Sequence, residues 1–368
     1  MYLNKNIDLE HINVYRIGPI AAFDKSAHSI HQCVFSSYFG RYGIKSYLYL
    51  RTNNGVKDIK KFFNFVGLDI DNKNFNVKIS VKHKGFSSLQ NLYWLLKDLY
   101  INKDCVNVIF LSKAKHVEFL SRFKKFLNFK LIFENHQNNL FYNAVKAADL
   151  NYIVSPYAYE KLKNLTNVIY WDYHYPVSDK FFKLRNKFSK KEKYLLGYIG
   201  SLNPEKGLEI VLAVLQLNIF KLKIIGGTDN QINKFKKLLQ KHGVLDKVVF
   251  TGFVSQNKLI HHLKDVDILI APFKRSQTSI PLKIYEYLAT GLPIIASDIP
   301  AVRCVGKNYL FYFEPENSES FKNVLLELIS KVDKVNTILI KSIQYSKSFR
   351  WDNVIAKILE DFVRYKIY

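Results

Sequence analysis

Short apolar segments alternate with amphipathic ones along most of the chain, and this alternation constrains the fold more than any other feature of the sequence. An apolar strand at 12–17 ends at Gly18 and precedes a helix at about 28–42, whose apolar residues recur every four positions. Strands that alternate with helices form a parallel sheet covered on both faces. The pattern predicts further strands at 46–50, 77–81, 106–111, 131–133 and 152–154, and helices at about 89–101, 117–127 and 140–148.

A second alternation begins at residue 194, after a segment at 170–193 that is first aromatic and then highly charged. A chain of 368 residues is too long for one ordinary core and fits two domains. We predict doubly wound α/β domains at 1–178 and 179–347 and a final helix at 348–368, with the carboxyl ends of the two sheets facing a cleft where ligands bind. The second domain is predicted to contain strands at 194–199, 222–225, 248–250, 268–271 and about 293–296, with helices between them.

The chain is strongly basic, with 55 Lys and Arg residues against 31 Asp and Glu and a formal net charge of +24. Nucleic acid, an anionic membrane surface and small anionic substrates are the partners that such a charge fits. The basic residues are mostly Lys beside Phe and Leu, as at 57–65 and 113–130, which favours an amphipathic surface on lipid over base readout. A solvated Lys-rich surface without a partner is the alternative. We expect no nucleic-acid ligand.

Cysteine usage and hydropathy indicate the compartment. Cys33, Cys105 and Cys304 are far apart and lack metal-ligand spacing, which indicates a reducing environment; His28 and His31, one turn apart, have no acidic residue nearby to complete a metal site. The N-terminus has no signal-peptide character, and no run of about 18 apolar residues occurs. We expect a cytoplasmic protein, soluble or peripheral on the inner face of the cell membrane, with no bound metal.

Residues 277–298 predict a helix start suited to an anion. A polar pair precedes Pro281, and proline is favoured in the first turn of a helix because its missing N–H would have no partner there. Free amides at a helix start carry partial positive charge and Lys283 adds a full charge, so a diphosphate fits. Glu286 would repel phosphate, and its expected role is to accept hydrogen bonds from sugar or ribose hydroxyls. A capped surface helix with a solvated glutamate is the alternative.

A second anion site is predicted at 197–207, where the first strand of the second domain ends. Gly200 allows the backbone to approach a phosphate, and Lys206, at the predicted start of the next helix, can neutralise it. The segment has neither the Gly-x-Gly-x-x-Gly pattern nor a Walker loop, so a dinucleotide site is not predicted, and an ordinary strand-helix turn is the alternative. Two lysine-bearing helix starts at one edge of one sheet favour a shared diphosphate.

Four segments of the second half carry a recognisable pattern: Gly-Tyr-Ile-Gly-Ser at 197–201 with Lys-Gly at 206–207, Val-Phe-Thr-Gly-Phe-Val at 249–254, Asp-Ile-Leu-Ile-Ala-Pro at 267–272, and 279–293. In order and spacing these segments resemble the nucleotide-sugar domain of retaining glycosyltransferase family 4, the group 1 glycosyltransferases, which have the two-domain GT-B fold. Ser-Phe-Arg-Trp at 348–351 and its helix resemble the family's C-terminus, which crosses back onto the first domain. The first half matches more loosely, at Glu-Asn-His at 134–136 and Ala-Asp at 148–149.

The resemblance implies roles for individual residues. Lys206, Glu286 and His136 are implied in catalysis: Lys206 stabilises the leaving diphosphate, Glu286 binds the ribose, and His136 lies near the donor sugar. His136 has a structural alternative as a strand-end histidine, and Glu134 is as compatible with a structural role as with a functional one. Donor binding is implied for Ser26, Ala27, Gly200, Ser201, Gly252, Phe253, Val254, Thr278, Ser279, Ile280, Pro281, Leu282 and Lys283.

The sequence departs from the family pattern at three positions. Ser201 replaces a phosphate-binding arginine, and Lys283 is expected to supply the missing charge. Thr278 replaces a glutamate that reads hydroxyls of the donor sugar, which leaves the sugar undefined. Ala27 replaces the second glycine of a pair whose amides meet the phosphates, a mild change.

The expected function is metal-independent, retaining transfer of a sugar from a nucleotide-diphosphate sugar, without a cofactor, to a hydroxyl of a lipid-linked or cell-surface polysaccharide acceptor. The alternatives are another GT-B enzyme, such as a nucleotide-sugar epimerase or a phosphorylase, a basic nucleic-acid-binding protein, and a transferase made inactive by the changes at Ser201 and Thr278.

Overall fold

The structure, a computed structural model, describes residues 9–24, 27–52, 55, 57–66, 68, 72–81, 86–171, 175–184, 187–277 and 280–368. The chain forms two compact units. The first comprises Met1–His174 together with Trp351–Tyr368, and the second comprises Tyr175–Arg350. The last helix of the chain therefore belongs to the first unit.

The first unit contains a seven-stranded parallel sheet. Its strands are β1 (Ile12–Ala21), β2 (Lys45–Thr52), β3 (Phe75–Val81), β4 (Val106–Leu111), β5 (Lys130–Asn135), β6 (Leu150–Ile153) and β7 (Val168–Tyr170). The spatial order is β3-β2-β1-β4-β5-β6-β7, so the direction of winding reverses between β1 and β4. The helices are α1 (Ala27–Gly40), α2 (Ile59–Val66), α3 (Phe86–Ile101), α4 (Ala114–Ser121), α5 (Tyr142–Ala147) and α6 (Pro156–Leu162).

The second unit repeats the arrangement with six parallel strands. They are β8 (Tyr194–Ile199), β9 (Phe220–Ile225), β10 (Val248–Gly252), β11 (Ile268–Ala271), β12 (Ile294–Ser297) and β13 (Phe311–Phe313). Their order is β10-β9-β8-β11-β12-β13, and the winding reverses between β8 and β11. The helices are α7 (Leu212–Leu215), α8 (Asp229–Lys241), α9 (Gln256–Leu263), α10 (Lys283–Ala289), α11 (Pro300–Gly306), α12 (Ser318–Ser330) and α13 (Val332–Ser346).

The final helix, α14 (Trp351–Arg364), completes the core of the first unit. Its predicted apolar face is buried, and the Trp351 ring stacks on Tyr38 of α1 with ring centres 4.6 Å apart. At its other end the Tyr152 hydroxyl donates a hydrogen bond of 3.0 Å to Asp361 Oδ2. The helix buries its apolar stripe against α1 and the sheet.

The predicted α/β alternation is confirmed, with local differences. β1 continues past Gly18 to Ala21, and its pairing with β2 shifts register between Ile17 and Ala21, which accommodates a proline that cannot donate to the ladder. The helix predicted between β8 and β9 is instead a 3-10 turn, Leu208–Val211, followed by the four-residue α7. The short elements β7 and β13 and the helices α6 and α11 to α13 were not predicted.

Candidate active site

The two predicted anion-binding segments meet where the strand order of the second unit reverses. β8 and β11 are neighbours there, and a crevice forms outside the carboxyl ends of parallel strands at such a point. The chain after β8 carries Gly200 and Lys206, and the chain after β11 carries Phe273 and Lys283. Lys206 and Lys283, which are far apart in the sequence, are therefore at one sheet edge.

Glycines follow or end three adjacent strands at this edge. Gly200 and Gly226 have φ values of 141° and 122°, in the region that favours glycine. A Cβ added to Gly226 would lie 2.6 Å from the Gly200 carbonyl oxygen, and the Gly226 N–H donates a 2.8 Å hydrogen bond to the Gly252 carbonyl oxygen. Gly226, which the sequence reasoning missed, thus connects the predicted donor-binding segments at Gly200 and Gly252.

Lys206 ends a 3-10 turn, Pro204–Lys206, and does not open an α-helix as predicted. Gly207 follows with a φ of 61°, and a Cβ there would lie 2.5 Å from the Pro272 carbonyl oxygen, so the turn packs directly against the chain after β11. Lys206 Nζ donates a 3.2 Å hydrogen bond to Gln277 Oε1 and lies 5.4 Å from the centre of the Phe273 ring. This close packing, and not a helix dipole, aims the lysine at the reversal point.

The ammonium group of Lys283 is shut off from solvent, although the residue as a whole is half-buried. Its Nζ lies 3.9 Å from the centre of the Tyr198 ring and 5.2 Å from that of Phe273, and it has no hydrogen-bond partner among the described residues. Burial and the nearby charge of Lys206 lower the pKa of Lys283 from 10.5 to about 7, while Glu286 opposes the shift. A buried ammonium without an acceptor is a site prepared for an anion.

The helix start itself contributes less than predicted. α10 begins at Lys283, two residues after Pro281, and has seven residues. The N–H groups of Ile284 and Tyr285 donate to the carbonyl oxygens of Pro281 and Leu282 at 3.0 and 3.2 Å. Because these amides are already engaged, the positive charge at the site comes mainly from the two lysines.

Glu286 is buried on the turn after Lys283, and the Tyr175 hydroxyl donates a 3.3 Å hydrogen bond to its Oε1. The adjacent Tyr287 hydroxyl accepts a 2.8 Å bond from the Ile199 N–H, which attaches α10 to the end of β8. The carboxylate is thus held in a fixed place beside the lysines. Sequence reasoning identified Glu286 but missed Tyr175, whose partner is 111 positions away.

The remaining predicted donor residues are placed as follows. Phe253 is exposed and Val254 partly so, after the end of β10, while Pro281 is buried and Ile280 and Leu282 are partly buried immediately before α10. Ser201 follows Gly200, and its carbonyl oxygen accepts a 2.7 Å bond from the Tyr198 hydroxyl. Ala27 is the first residue of α1 in the first unit. Ser26, Thr278 and Ser279 lie outside the described residues.

His136 lies in the first unit, immediately after β5, with its Nε2 3.8 Å from Glu134 Oε2. Glu134 is fully buried and accepts two hydrogen bonds of 2.7 Å from the Arg16 guanidinium, which also contacts Gln32. Burial opposes ionisation of Glu134, but the charge and hydrogen bonds of Arg16 outweigh it and hold the pKa well below its usual range. Sequence reasoning missed Arg16, although a charged residue within the apolar strand at 12–17 was a visible signal.

The arrangement in the second unit can bind a polyanion next to a hydrogen-bond acceptor. Two lysines share the Phe273 ring at one crevice, and one of them has no anion of its own. A diphosphate would satisfy both ammonium groups, and Glu286 could then accept hydrogen bonds from hydroxyls attached to it. Within the described part of the chain, no cluster of three His, Cys, Asp or Glu residues could hold a metal ion.

Parts of the chain are similar in sequence to known glycosyltransferases. Residues 179–342 match the family described as glycosyl transferases group 1. The putative teichuronic acid biosynthesis glycosyltransferase TuaH of Bacillus subtilis is 28% identical over 144 residues, which cover 37% of this chain and 35% of that protein. The Escherichia coli UDP-Gal:alpha-D-GlcNAc-diphosphoundecaprenol alpha-1,3-galactosyltransferase is 26% identical over 178 residues, 46% of this chain and 44% of that protein. The chain thus matches less than half the length of these relatives.

Solved structures match over nearly the whole chain. A glycosyltransferase from Rickettsia africae ESF-5 superposes with a TM-score of 0.72 at 15% identity, covering 96% of this chain and 98% of that one. The Anabaena protein Alr3699/HepE, solved with UDP and glucose, has a TM-score of 0.66 at 16% identity, covering 96% and 99%. Identities this low establish the fold alone.

The protein therefore has the GT-B fold of two Rossmann-like units, each with a parallel sheet. Its second unit contains the segment that is similar to glycosyl transferases group 1, and the lysines and glutamate described above lie within that segment.

Proposed function

We propose that the protein transfers a sugar from a nucleotide-diphosphate sugar to a hydroxyl group of an acceptor, without a metal ion and with retention of the anomeric configuration. The observation that carries the proposal is the pair formed by Lys206 and Lys283 around Phe273, with the Lys283 ammonium buried and without a hydrogen-bond acceptor in the described chain. A diphosphate is the leaving group that this pair fits.

Transfer requires stabilisation of the negative charge that develops on the leaving diphosphate. Lys206 and Lys283 are held in place before the substrate binds, so they stabilise that charge without rearrangement. Lys283 takes the place of the arginine that the family has at the position of Ser201. Glu286 is assigned to the ribose hydroxyls, because a buried carboxylate beside two lysines can accept hydrogen bonds from neutral hydroxyls without meeting the phosphate oxygens.

His136 is assigned to the donor sugar. The Arg16 and Glu134 pair supports this role, because Glu134 is ionised and buried 3.8 Å from the His136 ring nitrogen and orients it. No side chain is assigned as a covalent nucleophile. In the proposed mechanism the departing phosphate accepts the proton of the attacking hydroxyl as the new glycosidic bond forms on the same face of the sugar.

We assign the acceptor to the lipid-linked or cell-surface polysaccharide class. Support comes from the names of two relatives, one in teichuronic acid biosynthesis and one that acts on a diphosphoundecaprenol-linked sugar. The first unit carries exposed apolar side chains on α3 and α4, among them Leu89, Tyr93 and Phe119, beside the basic residues of 113–130. We propose that this surface rests on an anionic membrane from the cytoplasmic side. No described helix is long and apolar enough to cross a membrane.

Slow hydrolysis of a panel of nucleotide sugars, in the presence of a chelator, tests the proposal. We expect release of the nucleotide diphosphate and of the free sugar. Because a free sugar mutarotates in water, retention is read from the glycoside that forms when a simple alcohol serves as acceptor, which should have the anomeric configuration of the donor. Lys206→Ala should reduce both release and nucleotide binding. The proposal is wrong if no nucleotide sugar is bound or cleaved, or if the product is an epimer of the donor sugar, which would identify an epimerase.

A further inference from the structure

A pocket of about 130 Å³ opens in the second unit at the carboxyl ends of three adjacent strands, β11, β12 and β13. Phe273 follows β11, and Ser297 and Phe313 end β12 and β13. Lys206 and Lys283 do not line the pocket, although their Nζ atoms lie 5.4 and 5.2 Å from the centre of the Phe273 ring, which forms one wall. The pocket is therefore a neighbour of the site proposed for the donor diphosphate and is not part of it.

Acidic side chains line the mouth of the pocket. Glu209 and Glu316 are exposed there, and none of the described residues that line the pocket is basic, although the chain has 55 Lys and Arg residues against 31 Asp and Glu. Lys274 neutralises Glu209 from outside, with 3.0 Å between Nζ and Oε1. Glu316 Oε2 accepts a 3.2 Å hydrogen bond from the Arg275 N–H and has no ion pair among the described residues. The mouth thus keeps a negative charge that a cationic group would balance.

A buried hydroxyl group at the inner end of the pocket adds a second, independent observation. Ser297 is 0% exposed, and its Oγ forms no hydrogen bond with any residue that the structure describes. Buried polar groups in folded proteins are nearly always hydrogen-bonded, because an unpartnered one has lost its bonds to water without replacement. A ligand that brings a hydrogen-bonding group to the inner end would replace them.

The size and the remaining walls of the pocket indicate the shape of a ligand. Ile210, Pro272 and the rings of Phe273 and Phe313 form an apolar surface between the mouth and Ser297. A cavity of roughly 150 Å³ with apolar walls holds a benzene molecule. At about 130 Å³, and open to solvent on one side, this pocket has room for one six-membered ring, whereas a bare metal ion would leave most of the volume unfilled. A ring with a cationic group at the mouth and a hydroxyl group at the inner end matches all three features.

We propose that this pocket binds a hydroxyl-bearing cyclic amine of the amino-sugar class, as a second ligand of the unit besides the nucleotide. In this assignment Glu316 and Glu209 hold the ammonium group, Ser297 forms a hydrogen bond with a ring hydroxyl, and the apolar walls contact the C–H groups of the ring. A neutral sugar would leave the charge at the mouth unbalanced, and an amine without hydroxyls would leave Ser297 without a partner. The assignment does not depend on the proposed function, because none of these three residues is assigned to the donor.

Calorimetric titration of the full chain with glucosamine, glucose and cyclohexylamine tests the assignment at about pH 6, where the amines are protonated and the glutamates are ionised. We expect glucosamine to bind at least about tenfold more tightly than glucose, which lacks the charge, and than cyclohexylamine, which lacks the hydroxyls. Glucosamine should also bind when UDP is present in excess. Equal binding of either of the other probes, or no binding of glucosamine, would overturn the proposal. Displacement of glucosamine by UDP would overturn it in favour of binding at the donor site.

Three variants locate the bound ligand. Glu316→Gln should weaken glucosamine binding about tenfold, whereas Glu314→Gln, an exposed neighbour that does not line the pocket, should leave it unchanged. Ser297→Ala should weaken glucosamine binding about fivefold without lowering the free energy of unfolding, because the lost hydroxyl has no partner in the free protein. Equal effects of the two glutamate substitutions would assign the binding to surface charge in general. An unchanged affinity in Ser297→Ala would show that the ligand does not reach the inner end, and either result would contradict the proposal.

Discussion

The ammonium group of Lys283 lies 3.9 Å from the centre of the Tyr198 ring, with no hydrogen-bond acceptor among the described residues. An ordinary surface lysine keeps its charge in water, whereas this one is kept beside an aromatic face at the cost of solvation. A bound anion would compensate the lost solvation of this ammonium group. Three of the predictions below concern Lys283.

The first prediction concerns stability. The pKa of Lys283 falls from 10.5 to about 7, so between these values the unfolded chain holds a proton that the folded protein has released, and the free energy of unfolding rises with pH. Lys283→Met should therefore stabilise the protein below about pH 7, by on the order of 1 to 3 kcal/mol, and the gain should shrink towards about pH 10. Urea unfolding across this range, with Lys237→Met on the exposed face of α8 as control, measures it. A constant difference between the two variants at all pH values would contradict the prediction.

Nucleotide binding should take up a proton. Above about pH 7 the Lys283 amine is mostly neutral in the free protein, and a bound diphosphate restores its charge. The measurement is calorimetric titration of UDP at about pH 8, in buffers that differ in their heat of ionisation. At this pH the terminal phosphate of UDP is already ionised, so any proton taken up on binding goes to the protein. Lys283→Met should abolish the uptake and weaken UDP about tenfold. Uptake that persists in this variant would assign it to another group.

Glu286→Gln should reduce the preference for nucleotides with ribose hydroxyls, and it should have little effect on the affinity for the phosphate groups. The unchanged protein is expected to prefer UDP over its 2′,3′-dideoxy analogue by about tenfold, because a buried carboxylate accepts hydrogen bonds from the ribose hydroxyls. The variant should narrow this preference while pyrophosphate binding stays the same. If the preference survives the substitution, the ribose is bound elsewhere.

Removing one partner of the buried Arg16 and Glu134 ion pair should lower the free energy of unfolding strongly. Arg16→Met leaves the Glu134 carboxylate buried without its two hydrogen bonds, which should destabilise the protein by about 3 to 5 kcal/mol. The double variant Arg16→Met, Glu134→Leu should recover most of that loss in urea unfolding. It should not recover the rate of nucleotide-sugar hydrolysis if Glu134 orients His136. Full recovery of the rate would make the pair structural only.

The sequence predicted the features that depend on local patterns and missed those that depend on contacts between distant parts of the chain. Short apolar runs bounded by turn residues predicted the alternation, and parallel strands bring their carboxyl ends to one edge, so Lys206 and Glu286 were expected at one site. Arg16 and Gly226 were missed because their partners lie in other elements, and only the folded chain places them together. The start of α10 was predicted too early because Pro281 fits a turn of i to i+3 bonds as well as a first helical turn.

The last prediction uses the departure at Ser201. If Lys283 carries the charge that an arginine at this position would carry, the two should substitute for one another. Lys283→Ala should weaken UDP binding about tenfold, and adding Ser201→Arg to that variant should restore most of the affinity. In the unchanged protein Ser201→Arg should gain little, because its charge would meet Lys206 and Lys283 at the same crevice. The Tyr198 hydroxyl bonds the carbonyl oxygen of residue 201, so the loop has the same anchor in either background. The UDP affinities of the unchanged protein, the two single variants and the double variant form a double-mutant cycle. Purely additive effects of the two substitutions would show that Lys283 has a different role.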